Sequence, residues 1–139
     1  MNELPRGLRN NNPLNIKKSS IAWQGKVDGE DEKFVTFRNI FWGCRAAIVN
    51  LRTHLEQDRR CLIRTTIARE IKRWAPTSEN NTQAYVNYVV QNMKVPADTQ
   101  LKFSDKNTVC CLLYWMARYE NGHDAAVQLY WFERAYEML

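Results

Sequence analysis

No apolar run in this sequence approaches the ~20 residues that a helix needs to cross a bilayer. The opening MNELPRGLRNNNP carries no apolar stretch of the secretory kind. The expectation is therefore a chain made in the cytoplasm without a signal peptide and without membrane insertion. Five glycines and four prolines among 139 residues are too few for a collagenous repeat or a long low-complexity linker. Histidine is scarce, with His54 and His123 alone, and the four cysteines are Cys44, Cys61, Cys110 and Cys111. They make no C-x-x-C pair and no disulfide framework, and neighbours such as Cys110 and Cys111 point in different directions from a helix. No metal and no cofactor is expected, and all four cysteines are read as reduced thiols buried in the core.

What is present suits one folded unit, taken as a single domain over residues 1–139. Hydrophobic residues make up 45% and charged residues 25%, with five Trp, six Tyr and five Phe to fill a core. Lys and Arg number 20 against 15 Asp and Glu, a net charge of +5. That excess favours an anionic partner: nucleic acid, a phospholipid surface or a bacterial cell wall. Arg59, Arg60, Arg64, Arg69, Lys72 and Arg73 cluster well enough for a helical nucleic-acid binder, but no recognised DNA-binding motif accompanies them.

Two periodicities divide the chain. Up to residue 39 it reads as loop and hairpin: Asn10-Asn11-Asn12-Pro13 is a dense turn cluster, and residues 23–27 and 33–37 are strand candidates joined through Asp28-Gly29. From Ile40 the spacing becomes helical, with Phe41, Cys44, Ile48, Leu51 and Leu55 on one stripe. A second helix carries Ile67, Ile71 and Trp74 and must end near Pro76. A third is capped from Ser78-Glu79-Asn80-Asn81-Thr82 and stops before Pro96. A fourth covers about 106–120 with Gly122 as its stop, and a fifth follows Asp124 as cap. The expected class is mainly α (α+β): about five helices with one small N-terminal β-hairpin.

One carboxylate stands out. On a helical wheel at about 100° per residue, Val109, Leu113, Met116 and Glu120 share a stripe. An acid on an apolar stripe in the last turn of a helix meets desolvation and the negative end of the helix dipole, and both favour its protonated form. A protonated carboxylic acid is what general-acid cleavage of a glycosidic bond uses. The same position also suits a carboxylate that reaches past the helix end, or one paired with Arg118 or Arg6.

Short motifs add a resemblance. Asn12-Pro13-Leu14-Asn15-Ile16-Lys17, Ala22-Trp23-Gln24-Gly25 and the segment 34–38 resemble the hairpin region of bacterial glucosaminidases and soluble lytic transglycosylases, members of the lysozyme-like superfamily. Ala75-Pro76-Thr77-Ser78 and Asn81-Thr82-Gln83-Ala84-Tyr85-Val86 are similar to a late segment of those enzymes. Arg6-Gly7-Leu8-Arg9-Asn10-Asn11-Asn12-Pro13 resembles a phage virion-associated group. The family's catalytic glutamate precedes its hairpin, in an A-L-x-E-S-G-like motif. Here Met116-Ala117-Arg118-Tyr119-Glu120-Asn121-Gly122 resembles that motif at the opposite end of the chain, with Asn121 where the family has Ser. A circular permutation accounts for the order, because chain ends of compact domains often lie close together.

The resemblance implies a lysozyme-like fold acting on peptidoglycan glycan strands, with Glu120 as general acid. A second acid would come from the hairpin, Glu30 or Glu32, although a solvated turn explains the same acidic run. A lytic transglycosylase needs Glu120 alone. Asn12 and Asn15 are candidates for binding N-acetyl groups, Trp23 for lining a sugar cleft, and Tyr85 and Tyr88 for steadying charge or a sugar ring, each with a packing or loop-bracing alternative. Muramidase, glucosaminidase and transglycosylase chemistry all stay open. So does a non-catalytic virion or wall-binding protein that keeps the shell. Access to the wall would require a holin, a secretion machine or a virion.

Overall fold

The computed structural model describes residues 4–77 and 81–139, and the capping candidates Ser78, Glu79 and Asn80 lie outside them. It is mainly helical, with one small antiparallel hairpin. The elements are α1 (Arg6–Arg9), β1 (Lys26–Val27), β2 (Thr36–Phe37), α2 (Ile40–Arg60), α3 (Ile67–Trp74), α4 (Thr82–Met93), α5 (Lys106–Asn121) and α6 (Leu129–Glu137). None of the helices described is long and apolar enough to cross a membrane.

Local chemistry sets most of these boundaries. Asn39, Thr66, Asn81 and Asp105 each cap a helix by accepting backbone N–H bonds in its first turn. Lys94 takes a left-handed conformation to close α4, and Gly122, at φ 103°, ends α5. Two details differ from expectation. α1 is a single turn, too short to show a period. α6 starts at Leu129 with Gln128 before it, so Asp124 belongs to the loop and caps nothing.

The hairpin pairs Lys26 with Phe37 and Val27 with Thr36, a shorter ladder than residues 23–27 and 33–37 suggested. The Asn-rich loop supplies further pairing, since Val35 N–H donates to Ile16 O and Phe37 N–H donates to Asn10 O. Asn11 and Asn15 sit at φ 52° and 53°, left-handed geometry that asparagine tolerates better than most residues. Asn12 has no exposed surface; its side chain donates to Ile16 O and Val35 O and accepts from Ile16 N–H.

α5 runs through the centre. Val109, Leu112, Leu113, Met116 and Ala117 are fully buried, and the helix packs on α4, α6 and α1. Cys44 and Cys110 are buried as expected, whereas Cys61 is exposed and Cys111 half-buried; all four are free. Cys61 departs from the core reading because it follows the last residue of α2, at the turn into α3, where the chain faces solvent. Burial pushes the Cys44 thiol well up and the Cys110 thiol up to about 12, so neither supplies a ready thiolate.

Asp58, almost wholly buried near the end of α2, ties that helix to α3. It accepts from Arg69 at 3.0 and 3.1 Å and from Thr65 at 2.6 Å, and it also pairs with Arg73. Arg59 and Arg60 pair with Glu56. Four of the six cations in the basic cluster therefore have carboxylate partners within the fold.

Candidate functional site

The Asn-rich loop crosses the end of α5, and the crossing is tightly made. Asn121 donates to Pro13 O at 2.8 Å across 108 residues of sequence. Gly7 is the close neighbour on the other side: a Cβ there would lie 2.5 Å from Asn121 Oδ1 and 2.9 Å from Asn12 O. The contact brings Asn15 to Glu120, whose Oε1 accepts from Asn15 Nδ2 at 3.0 Å. Glu120 thus lies beside the N-terminal loop and hairpin although the sequence separates them by 105 residues.

Glu120 is half-buried and opens onto a cleft of about 400 Å³ lined by Leu14, Asn15, Lys17, Lys33, Phe34 and Trp74. Arg118 is occupied elsewhere, donating to Tyr114 Oη and His123 O, and Arg6 makes a bidentate pair with Asp31. Neither arginine takes the carboxylate. Beneath it lies Tyr85, fully buried, its hydroxyl donating to Met116 O at 3.3 Å and adjoining Glu120. Burial, together with the Glu120 charge, pushes the Tyr85 phenol well above its ordinary value, so it stays a neutral donor.

A second section of about 390 Å³ adjoins the first, and both share Leu14, Asn15, Lys17 and Trp74. Its further walls include Ile21, Trp23, Asn50, His54 and Arg73. Together they make one open groove between the N-terminal loop and the α2–α3 pair.

The sequence candidates divide by place. Glu120, Asn15 and Trp23 line this groove. Asn12 and Tyr85 are inside the protein, the first bracing the loop and the second supporting Glu120 from below. Tyr88 packs edge-on against Trp115, with its centroid 5.3 Å from Tyr119, and lines neither section. Glu30 and Glu32 are exposed on the hairpin loop and also line neither section.

The acid that the hairpin does fix is Asp31. The Arg6 guanidinium holds its carboxyl far below the usual carboxylate range, aided by the Phe34, Lys33 and Asn10 N–H groups. Sequence reasoning also passed over His54, Glu70 and Trp74 as a group. Glu70 is fully buried, and its Oε2 accepts from His54 Nδ1 at 2.6 Å and from Trp74 Nε1 at 2.7 Å. The Glu70–Trp74 spacing of four was a helical signal for that pair, but nothing in the sequence links either to His54. Among the described residues no group of His, Cys, Asp and Glu has the make-up of a metal site.

Comparison with known proteins places the chain. No family model matches it. Over 126 residues it is 36% identical to Protein P5 of Pseudoalteromonas phage PM2, an alignment covering 88% of this chain and 74% of that one. On that likeness the chain belongs to the family of the phage PM2 Protein P5.

Proposed function

We propose that this protein cleaves the glycan strand of peptidoglycan, with Glu120 as the general acid of a circularly permuted lysozyme-like domain. The observation that carries the reading is the juxtaposition of Glu120, at the end of α5, with Asn15 of the N-terminal loop across 105 residues. A permuted order of helix and hairpin requires that contact.

The chemistry follows from the setting. Glu120 protonates the glycosidic oxygen, and the bond from that oxygen to the anomeric carbon breaks as positive charge develops on the ring. The same carboxylate, now ionised, then takes a proton from an incoming water or from a hydroxyl of the sugar itself. Asn15 holds one carboxylate oxygen in place for this exchange. With Glu30 and Glu32 away from the groove walls, the single-acid route, in which the sugar closes on itself, asks least of the rest of the protein. The net charge of +5 helps the protein approach an anionic wall. A phage relative suits an agent that reaches the wall during infection or release.

The test is release of soluble fragments from purified walls. Wild type releases them and Glu120→Gln, folded by circular dichroism, does so at least about 100-fold more slowly. Equal release by both removes Glu120 from the chemistry. No release by wild type across several wall types leaves a binding or virion shell in place of an enzyme.

A further inference from the structure

Leu62, in the turn between α2 and α3, is the most exposed large apolar residue among those described, at 95% against 57% for Leu4, the next. Its backbone is also left-handed, at φ 58°. The turn closes the end of α2: Leu62 N–H donates to Arg59 O and Ile63 N–H to Asp58 O, a pattern in which the left-handed residue is usually glycine. A side chain with a Cβ disfavours that conformation, and water disfavours an aliphatic one. Glycine would make the same turn with less strain. So exposed a leucine stabilises almost nothing within the chain, and its use lies outside the fold.

The surroundings indicate what meets it. Cys61, Leu62 and Ile63 are all exposed and form an apolar tip, bracketed in sequence by the exposed Arg59, Arg60 and Arg64. Arg52 precedes Arg59 by about two helical turns, and the two share with Ile63 a crevice of about 290 Å³ behind the tip. Glu56 pairs with Arg59 and Arg60. Arg64 bonds to Gln100 and Arg52 lies over the Phe103 ring, and neither pairs with a carboxylate among the described residues. Asp58 is buried and taken by Arg69 and Arg73, so the rim of the tip keeps a net positive charge. An apolar tip inside a rim of arginines complements an anionic phospholipid surface. The tip enters the acyl boundary, the guanidiniums hold headgroup phosphates, and the arginine stems cover the edge between them. A nucleic acid offers the same phosphates but leaves Leu62 in water. With no described helix long and apolar enough to cross a membrane, the contact is one of surface.

We propose that the α2–α3 turn is a docking tip for an anionic phospholipid membrane, with Leu62 as the inserted side chain and Arg59, Arg60 and Arg64 as its headgroup contacts. The docking stands apart from the glycan reading, because none of these four residues lines the groove beside Glu120. The experiment sediments the intact protein with vesicles of phosphatidylcholine alone, or of phosphatidylcholine and phosphatidylglycerol in equal parts. The mixed vesicles bind it, and the neutral ones bind it at least about tenfold more weakly. Leu62→Gly, which suits the left-handed turn, melts at or near the wild-type temperature yet loses about tenfold in affinity for the mixed vesicles. Arg64→Gln loses about fivefold, the worth of one arginine near an anionic surface. A nitrobenzoxadiazole dye on the exposed Cys61, in a Cys111→Ser background, brightens and shifts to the blue on mixed vesicles. The proposal is overturned if mixed vesicles bind nothing, if they bind Leu62→Gly as well as wild type, or if the dye keeps its emission in water. A Leu62→Gly midpoint several degrees below wild type also overturns it, by making the leucine part of the fold. Two further outcomes overturn it by naming another occupant. A DNA duplex bound more tightly than the mixed vesicles assigns the rim to nucleic acid, and a dimer that Leu62→Gly dissolves assigns the tip to a second copy. None of these outcomes alters the wall-cleavage test of Glu120.

Discussion

Asn12 carries three hydrogen bonds on a side chain with no exposed surface, and two of them reach backbone groups of Ile16. Asn12→Ala strands those groups inside the protein, and the expected loss is about 3 kcal/mol of stability, read from urea denaturation. Asn15 tests the site and not the scaffold. Its φ of 53° suits glycine, so Asn15→Gly keeps the backbone while removing the amide that holds Glu120. The expected outcome is wall cleavage slowed about tenfold with little change in the denaturation midpoint, since one hydrogen bond to a carboxylate is worth roughly 1.5 kcal/mol or more. At this scale Glu120 was legible, because a carboxylate on the Val109–Leu113–Met116 stripe is a break in pattern. Asp31 was not. Its value comes from Arg6, 25 residues away, and neither period nor turn chemistry announces that pair. Asn12 and Asn15 read alike as turn residues, and only burial separates the brace from the groove wall.

The α2–α3 corner is held by charge, which makes acid its weakness. Arg69 hydrogen bonds, with Thr65 and Arg73, keep Asp58 well below the usual carboxylate range despite its burial, and Arg6 does the same for Asp31 at the hairpin. Unfolded carboxyls take up protons near pH 4, so below that the unfolded chain binds more protons than the folded one. The stability these two groups contribute is complete above about pH 4 and drains away as pH falls toward their folded values. The urea midpoint should therefore drop between pH 6 and pH 3, and by less in Asp58→Asn, which has no such carboxyl to protonate. An equal drop in both would remove Asp58 from the acid response. The helices themselves were largely readable from period, proline and caps, with α3, α4 and α5 ending within a residue or two of expectation. α6 began late because Asp124, a good cap by type, lies several residues before the first turn. The strands were over-drawn, since the ladder is two residues long on each side and the neighbouring Val35 N–H donates to Ile16 O of the Asn-rich loop instead.

Across the described residues, the groove exists because residues 4–40 fold over the end of α5 and against α2 and α3. That assembly was suggested only by the expected permutation, under which an acid-bearing helix late in the chain would lie beside the N-terminal hairpin. In the groove's second half Trp23 was anticipated but His54 and Arg73 were not, for they come from separate segments joined to it only by folding. Whether the groove cuts sugar linkages is read most directly from the ends it creates. Purified peptidoglycan is digested with wild type and with Glu120→Gln, and the soluble products are weighed by mass spectrometry. The account predicts glycan fragments with new anhydro or reducing sugar ends from wild type and none above background from Glu120→Gln. Fragments with intact glycan and cut peptides, or the same sugar ends from both proteins, would contradict it.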